Sequence, residues 1–279
     1  MPELPETETI ARDLHARVRA ARVVGAAVPR PDVLRAVDAE MLARAVHDAT
    51  IERVWRRAKL VVLDLATTSG TVRHLVVQPR FTGALLVDDG TLEAELRDYV
   101  CVRLALHDGR ALLYRDVRRL GTVSLMDEAH FARYTGALGI EPLEAGCTPA
   151  ALAAALGTSA RPIKAALMDQ SRLAGVGNIY STEACWAAEI DPSRAAASLR
   201  DGEWRRLHAE LTRLLEASVA ARGTSFRDYR DASGARGAFA EQLQAYGRGG
   251  RPCARCGHRL VSTDAIDGRG TVFCAWCQR

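Results

Sequence analysis

The chain has 279 residues, of which 48% are hydrophobic and 26% are charged, with a formal net charge of +4. This length suggests about two domains with buried apolar cores, and the small net charge is weak evidence for a nucleic-acid partner. No apolar stretch is long enough to span a membrane, and the acidic N-terminus lacks the features of a signal peptide, so a cytoplasmic protein is expected.

A helix is predicted directly after the N-terminus. Pro5 suits its first position, because the missing N–H would be unpaired there. Glu6 follows in the first turn, where the positive end of the helix favours acidic side chains. Apolar residues recur at every fourth position, which indicates one buried face. They are Ile10, Leu14 and Val18.

The residues before this helix have the composition of a reactive site. Once Met1 is removed, Pro2 carries a free secondary amine, and Glu3 lies beside it. An amine next to a carboxylic acid can carry out covalent chemistry at a sugar carbon. The positive end of the helix would favour the neutral, nucleophilic form of the amine. The alternative is an ordinary helix start that contains two prolines.

Lysine is rare in this chain. Lys59 and Lys164 are the two lysines among 38 lysine and arginine residues. Because lysine can lose its proton whereas arginine stays charged, the two exceptions invite a functional reason. Lys59, at the end of the run Arg56–Lys59, is a candidate catalytic or substrate-contact group. The alternative is a surface lysine without a role.

The first 130 residues are predicted to be rich in β-strands, residues 150–222 to be helical, and residues 223–250 to form a mobile loop. Asp-Gly turns between apolar runs are typical of hairpins. Glycine and proline cluster at 136–149, which we interpret as a linker. The strands are predicted at 22–28, 51–54, 60–63, 72–77, 84–87, 99–106 and 110–114. The later helices are predicted at 150–156, 163–169, 179–188 and 203–222.

Four cysteines near the C-terminus have the spacing of a zinc site. Cys253 and Cys256 are separated by two residues, as are Cys274 and Cys277. Four thiolates are typical of one closed, structural Zn²⁺ site, here with a predicted hairpin between the pairs. Two disulfides are the alternative, which the lack of a secretion signal disfavours.

A glycine-rich turn, Gly175–Tyr180, separates two predicted helices. Backbone amides at such a helix start can hold a phosphate, with Asn178 as a further donor. The alternative is a tight turn with no ligand.

Together these segments resemble the formamidopyrimidine-DNA glycosylase family, in its bacterial formamidopyrimidine branch as opposed to the endonuclease VIII branch. The resemblance spans almost the whole chain and includes the four cysteines. The other matching segments are Met1–Glu6, Arg56–Lys59, Asp116–Gly121, Gly139–Leu143, Leu167–Asp169, Gly175–Tyr180 and Phe239–Arg248.

The resemblance implies an α+β fold in four parts. They are an N-terminal β-sandwich with one N-terminal helix (1–135), a linker (136–149), a helix–two-turn–helix domain (150–245) and a zinc finger (246–279). Damaged double-stranded DNA would bind between the domains, and the protein would be a monomer.

The resemblance also implies a bifunctional glycosylase and lyase, which would remove an oxidised purine such as 8-oxoguanine or a formamidopyrimidine from DNA and then nick the strand. Pro2 would attack the sugar, Glu3 would shuttle protons, and Glu6 would position the amine or the sugar. Lys59 would be the proton donor in β-elimination. Arg269 would assist δ-elimination, and we favour a role in holding the departing phosphate, because an arginine is a poor acid.

DNA contacts are implied at Arg118, Asn178 and Arg269, and a plug for the gap left by the flipped base at Phe81, Arg118 and Leu120. Three further DNA-contact positions depart from the family's usual residues, and they are Gln78, Tyr99 and Ser159. These departures leave the mechanism intact but weaken the expectation that 8-oxoguanine is the favoured lesion, so the same chemistry on oxidised pyrimidines is one alternative. A non-catalytic binder of abasic or distorted DNA is the other, and the intact Pro2, Glu3 and Lys59 argue against it.

Overall fold

The first half of the chain forms two β-sheets in the computed structural model, which describes residues 2–225 and 228–279. The sheets contain the predicted strands and two strands that were not predicted, Leu34–Arg35 and Thr122–Met126. The strands are β1 (Val23–Ala27), β2 (Leu34–Arg35), β3 (Thr50–Arg57), β4 (Leu60–Ala66), β5 (Val72–Gln78), β6 (Gly83–Asp88), β7 (Val100–Leu106), β8 (Ala111–Asp116) and β9 (Thr122–Met126). One sheet has the order β1-β7-β8-β6 and the other β2-β9-β5-β4-β3. Because apolar side chains of both sheets share one buried cluster, the sheets form a β-sandwich.

Helix α1 (Leu4–Val18) packs against this sandwich. It begins one residue before the predicted start, so Pro5 is its second residue, where the N–H is also unpaired. The side chains predicted to form the buried face, Ile10, Leu14 and Val18, are each 0% exposed. The predicted amphipathic helix is therefore confirmed.

Two short helices that the sequence analysis did not predict complete this part of the chain. They are α2 (Ala39–Val46) and α3 (Glu128–Gly136). Asp38 caps α2 by accepting a hydrogen bond from the Met41 N–H at 2.7 Å. Each helix has fewer than three full turns, so its apolar periodicity is too brief to stand out from the surrounding strands.

The chain divides into two compact units. The first combines the residues up to Gly136 with the returning segment Ala221–Ala240, and the second combines Ala137–Ala220 with Glu241–Arg279. Tyr229 and Ala232, from the returning segment, are buried in the sandwich core. The predicted four-part division of domains stays a prediction.

The second unit contains the predicted helices and the cysteine hairpin. Its helices are α4 (Pro149–Leu156), α5 (Ile163–Leu167), α6 (Asn178–Ala187) and α7 (Asp201–Ala220). Strands β10 (Val261–Thr263) and β11 (Thr271–Phe273) pair antiparallel. Short 3-10 helices elsewhere in the chain lie at Pro31–Val33, Ala94–Arg97, Ala196–Ser198 and Phe239–Gln242. Within the described residues, the structure contains no helix of the length and apolarity that crossing a membrane requires.

A buried carboxylate connects α6 to the segment that leads into the hairpin. Glu183 is 1% exposed and accepts hydrogen bonds from the N–H groups of Gln244, Ala245 and Tyr246 at 3.0, 2.8 and 2.7 Å. Because a buried acceptor with three donors is costly to remove, Glu183 fixes the start of the finger on α6.

Candidate active site

Pro2 and Glu3 lie buried at the start of α1, and the exposed fraction of Glu3 is 2%. Glu3 is the N-cap residue of α1, and its N–H donates to Oε2 of Glu6 at 2.8 Å. This hydrogen bond is one half of a capping box, a motif that satisfies N–H groups that the first helical turn leaves unpaired. The backbone beside Pro2 is therefore held in one conformation.

The second oxygen of the Glu6 carboxylate holds the returning segment. Oε1 accepts a hydrogen bond from the Thr224 N–H at 2.7 Å, and the Tyr229 hydroxyl donates to the Glu6 carbonyl oxygen at 3.4 Å. Gly223 has φ +85°, and a Cβ added there would lie 3.0 Å from Cγ of Glu6. The approach is thus close enough to require glycine. Glu6 fixes the helix start and this segment together, which fits its predicted positioning role.

Lys59 lies in the tight turn between β3 and β4, beside Ala58, which has φ +53°. The Ala58 carbonyl oxygen accepts hydrogen bonds from the Thr7 hydroxyl at 3.4 Å and from Arg56 Nη1 at 3.0 Å. Arg56 also pairs with Glu8 at 2.8 Å. These contacts tie the turn to the first two turns of α1, so Lys59 and the Pro2–Glu3 pair belong to the same corner of the first unit.

The Arg56–Glu8 pair is itself shielded from solvent. The Arg56 side chain is 6% exposed. Burial acts to raise the pKa of Glu8, but the charge and hydrogen bond of Arg56 outweigh it and lower that pKa. Glu8 therefore stays ionised and keeps the turn attached.

A fully buried carboxylate, Asp116, organises the loop 117–121. Its oxygens accept hydrogen bonds from the Thr82 and Tyr114 hydroxyls and from the N–H groups of Arg118 and Gly121, the last at 2.8 Å. Burial raises the pKa of Tyr114, so its hydroxyl remains a donor. A Cβ on Gly121 would lie 2.0 Å from the Tyr114 oxygen, so only glycine fits there.

Two of the three predicted plug residues lie against each other. The Arg118 guanidinium carbon is 5.4 Å from the centre of the Phe81 ring, within the range of a cation–π contact. Phe81 is 46% exposed, and Leu120, on the Asp116-organised loop, is 40% exposed. Large apolar side chains that remain exposed on a rigid loop are suited to contact a partner.

The remaining predicted DNA-contact residues, Tyr99, Gln78 and Ser159, lie at separate places in the chain. Tyr99 is 47% exposed with φ +58°, and its ring lies 5.8 Å from the Arg30 guanidinium carbon. Gln78 is half-buried at the end of β5, opposite Thr122. Ser159, in the second unit, accepts a hydrogen bond from the Arg161 N–H at 3.2 Å.

In the second unit, the structure brings Asn178 and the hairpin that carries Arg269 together. Asn178 is the first residue of α6, and its side-chain amide donates to the Gly270 carbonyl oxygen at 3.0 Å. Arg269 is exposed in the turn between β10 and β11. The helix start and the guanidinium are both suited to a phosphate.

The four predicted metal ligands converge at the other end of this hairpin. The Sγ atoms of Cys253, Cys256, Cys274 and Cys277 all lie within 4.8 Å of one another. Cys256 and Cys274 are separated by 3.5 Å between sulfurs, which rules out a disulfide between them. Tetrahedral zinc with Zn–S bonds near 2.3 Å places its sulfurs roughly 3.8 Å apart, so the cluster fits this ion.

The pKa of one of these thiols, Cys253, lies below its usual value. Burial acts to raise the pKa of Cys253, but the N–H groups of Arg255 and Cys256 outweigh it and lower that pKa to about 6. A thiolate is the form that binds metal. The four cysteines can therefore hold one metal ion.

Comparison with known proteins agrees with this geometry. The family model described as the formamidopyrimidine-DNA glycosylase N-terminal domain matches residues 1–123, and the model of that family's H2TH (helix–two-turn–helix) domain matches residues 138–230. The chain belongs to the formamidopyrimidine-DNA glycosylase family. The family and the α+β fold that the sequence motifs predicted are thereby confirmed.

Relatives in this family match over the full chain. A formamidopyrimidine-DNA glycosylase of Moorella thermoacetica is 42% identical over 262 residues, covering 93% of each chain. One of Desulfitobacterium hafniense is 38% identical over 280 residues and covers 100% of both. A crystal structure of a Lactococcus lactis FPG variant bound to Fapy-dG-containing DNA has a TM-score of 0.89 at 28% identity, covering 100% of both chains.

Three residues that support the site were not singled out in the sequence analysis. Asp116 lies inside a motif that was matched as a whole, so its role as the buried acceptor could not be separated from that of its neighbours. Glu183 bonds Gln244, 61 residues away, and Asp267, in the turn between β10 and β11, pairs with Lys164, 103 residues away. Such long-range contacts leave no local signal in a single sequence.

Proposed function

We propose that this protein removes oxidised purines, 8-oxoguanine and formamidopyrimidines, from duplex DNA and then cleaves the strand by β,δ-elimination. The observation that carries the proposal is the buried Pro2–Glu3 pair at the start of α1, with Glu6 accepting from the Glu3 N–H on one side and the Thr224 N–H on the other. Such a held geometry is what a nucleophile and its proton shuttle require.

Covalent chemistry begins at the Pro2 nitrogen once Met1 has been removed. The damaged nucleotide leaves the base stack, and the nitrogen attacks C1′ of its deoxyribose. The bond from C1′ to the base breaks as the new C–N bond forms, and the base leaves with the proton that the nitrogen gives up. The C1′–O4′ bond then breaks as Glu3 gives a proton to O4′, which opens the sugar ring, and Glu3 afterwards moves protons to and from the opened sugar. Because proline is a secondary amine, the product is an iminium ion, whose positive charge draws electrons from the sugar.

Strand cleavage follows from this electron sink. Loss of a proton from C2′ expels the 3′ phosphate, and a second elimination expels the 5′ phosphate. Lys59 serves as the proton donor in the first step. Arg269 holds the departing phosphate in the second, through charge-assisted hydrogen bonds.

DNA is held by phosphate contacts from Arg118, Asn178 and Arg269, which give affinity without sequence preference. Phe81, Arg118 and Leu120 fill the gap left by the extruded nucleotide, as apolar wedges do in kinked duplexes. Tyr99, Gln78 and Ser159 make additional contacts along the strand. One structural Zn²⁺ on the four cysteines would hold the hairpin that carries Arg269. We propose that the protein acts as a monomer in the bacterial cytoplasm.

The comparisons support this proposal and keep one alternative open. A structure of Lactococcus lactis Fpg in complex with DNA that contains an abasic site has a TM-score of 0.88 and covers 99% of each chain. The same protein has also been crystallised with DNA that contains an oxidised pyrimidine. Activity of the present protein on oxidised pyrimidines is therefore the second candidate function.

A panel of duplexes that each carry one lesion, incubated with borohydride, tests both candidates. The panel contains 8-oxoguanine, a formamidopyrimidine, an oxidised pyrimidine and undamaged DNA. We expect covalent trapping and cleavage to be fastest on the two purine lesions. Preference for the pyrimidine would replace the first candidate with the second. Binding without any trapped adduct on any lesion would leave a non-catalytic binder.

A further inference from the structure

The second lysine of the chain, Lys164, is buried in an ion pair. Its side chain is 0% exposed, and Nζ lies 2.8 Å from Oδ2 of Asp267, whose side chain is 5% exposed. Lys164 belongs to α5, whereas Asp267 lies in the turn between β10 and β11. The pair therefore fastens the tip of the hairpin to the helical part of the same unit.

Asp267 is bonded through both of its oxygens. While Oδ2 pairs with Lys164, Oδ1 accepts a hydrogen bond from the Arg269 N–H at 3.0 Å. The Thr271 hydroxyl donates to the Arg269 carbonyl oxygen at 3.0 Å. The backbone of Arg269 is thus held on both sides, while its side chain remains exposed.

Asn178 anchors the same turn from the other side, through its hydrogen bond to the Gly270 carbonyl oxygen. Residues 267–270 are therefore bound to α5 at one end and to α6 at the other. Asn178 and Arg269, two of the proposed phosphate contacts, are held in register by these bonds.

We propose that the buried Lys164–Asp267 pair positions Arg269, so that its guanidinium meets the phosphate that leaves in the second elimination. Asp267 and Lys164 are positioning residues, because they act through Arg269 and not on the DNA. The inference rests on the proposed function for the role of Arg269, but the structural claim about the hairpin does not.

Because the pair is buried, neither Lys164 nor Asp267 can lose its partner without a large cost in free energy. A charge that is removed from water must keep its partner, because an unpaired buried charge is strongly unfavourable. Loss of either member leaves the other buried without its counter-charge, which favours displacement of the tip of the hairpin toward water. Motion of about 1 Å at a reacting group can lower a rate by about a hundredfold.

The test uses three variants of the full-length, zinc-loaded protein. Asp267→Asn and Lys164→Met each break the pair. Asp264→Asn is the matched control. It removes the same negative charge from the same hairpin, but at a residue that is exposed. The substrate is a duplex with a preformed abasic site, and the two elimination products are separated on a gel. Borohydride trapping on the same duplex measures the chemistry at Pro2.

We expect both pair-breaking variants to lower the ratio of δ- to β-elimination product by about tenfold, while trapping stays within about twofold of the parent. Asp264→Asn should match the parent. A ratio equal to the parent's in Asp267→Asn and Lys164→Met would overturn the proposal. So would equal losses of trapping and of both products, because the pair would then support the whole unit and not the hairpin.

Hydrogen exchange in the DNA-free protein separates failure of this inference from failure of the proposed function. We expect the amides of residues 267–270 to exchange at least about tenfold faster in Lys164→Met than in Asp264→Asn. Unchanged exchange would contradict the inference. If the parent protein forms no trapped adduct at all, the proposed function fails, and the exchange result still decides whether the pair holds the hairpin.

Discussion

The start of α1 and the tip of the β10–β11 hairpin are each fixed by a buried carboxylate, but the two carboxylates have different kinds of partner. In each, one buried carboxylate that uses both of its oxygens fixes the backbone at a residue with a proposed role, Glu6 in the first unit and Asp267 in the second. Glu6 accepts from two backbone N–H groups, whereas Asp267 pairs with a lysine and one N–H. The first arrangement uses the positive end of a helix, and the second requires a full counter-charge.

The difference predicts how each region tolerates change. At α1 a neutral side chain can still accept one of the two hydrogen bonds that Glu6 accepts, because both donors are uncharged backbone N–H groups. At the hairpin a neutral replacement leaves a buried lysine without a partner.

Replacement of the nucleophile should have the largest effect. Pro2→Gly leaves both hydrogen bonds of Glu6 intact, so we expect the fold and most DNA binding to survive. Base removal should fall by at least about a thousandfold, as for other covalent nucleophiles. Single-turnover excision on an 8-oxoguanine duplex measures this rate. Pro5→Ala, in the same helix start, is the control, and full activity in Pro2→Gly would remove Pro2 from the mechanism.

Loss of a metal ligand should disable the second region without affecting the first. Cys274→Ser removes one thiolate from the cluster, so we expect the bound zinc to be lost and the hairpin to unfold. Affinity for a duplex with an abasic analogue should fall by about tenfold or more, because the Arg269 contact disappears. Atomic absorption and fluorescence anisotropy provide the measurements.

A cysteine outside the cluster serves as the control. Cys147 is 6% exposed, and burial raises its pKa to about 11, so it is an inert thiol. Cys147→Ala should keep one zinc per chain and full affinity. Zinc retained by Cys274→Ser at parental stoichiometry would show that the cluster is not the metal site.

Glu6→Gln tests the two hydrogen bonds that the Glu6 carboxylate accepts from backbone N–H groups at the start of α1. The amide offers one acceptor oxygen for two N–H groups, so either the Glu3 or the Thr224 N–H loses its partner. We expect unfolding free energy to fall by about 1–3 kcal/mol, the cost of one unsatisfied buried group. Excision should slow by about tenfold, while Asp267→Asn leaves excision unchanged. Equal excision losses in the two variants would erase the distinction between the regions.

The smallest effect is expected at a partly exposed ion pair of the second unit, between Arg194 and Glu203. The hydrogen bond from Arg194 lowers the pKa of Glu203 to about 2, from 4.5. A lowered carboxyl pKa contributes stability that is complete above about pH 4.5 and is lost as the pH falls to about 2. We expect Glu203→Gln to cost about 1 kcal/mol of unfolding free energy at pH 7.

Urea unfolding of the parent and of Glu203→Gln at several pH values checks the sign of this effect. The difference between the two proteins should be constant from pH 7 to about pH 5 and should shrink below it. A difference that grew as the pH fell would contradict the assigned direction of the shift.

Local patterns in the sequence predicted most of the elements and the family. The spacing of the four cysteines predicted their convergence, and the period of Ile10, Leu14 and Val18 predicted the buried face of α1. These features succeed because each depends on residues that are close in the chain or on a motif with fixed spacing.

The contacts that hold the site could not be predicted in the same way. Glu6 and Thr224 are 218 residues apart, and Lys164 and Asp267 are 103 apart. Either partner alone looks like an ordinary charged or polar residue. The rarity of lysine was a usable signal, and it pointed to Lys164 as well as to Lys59, but its burial becomes apparent only from the fold.

The proposed mechanism requires the imino nitrogen of Pro2 to form the bond to the sugar, and peptide mapping of the borohydride-trapped complex shows where that bond lies. We expect mass spectrometry to find the deoxyribose remnant on a peptide that begins at Pro2, in protein that has lost Met1. A remnant on Lys59 or on any other side chain would contradict the mechanism, as would full activity in protein that retains Met1.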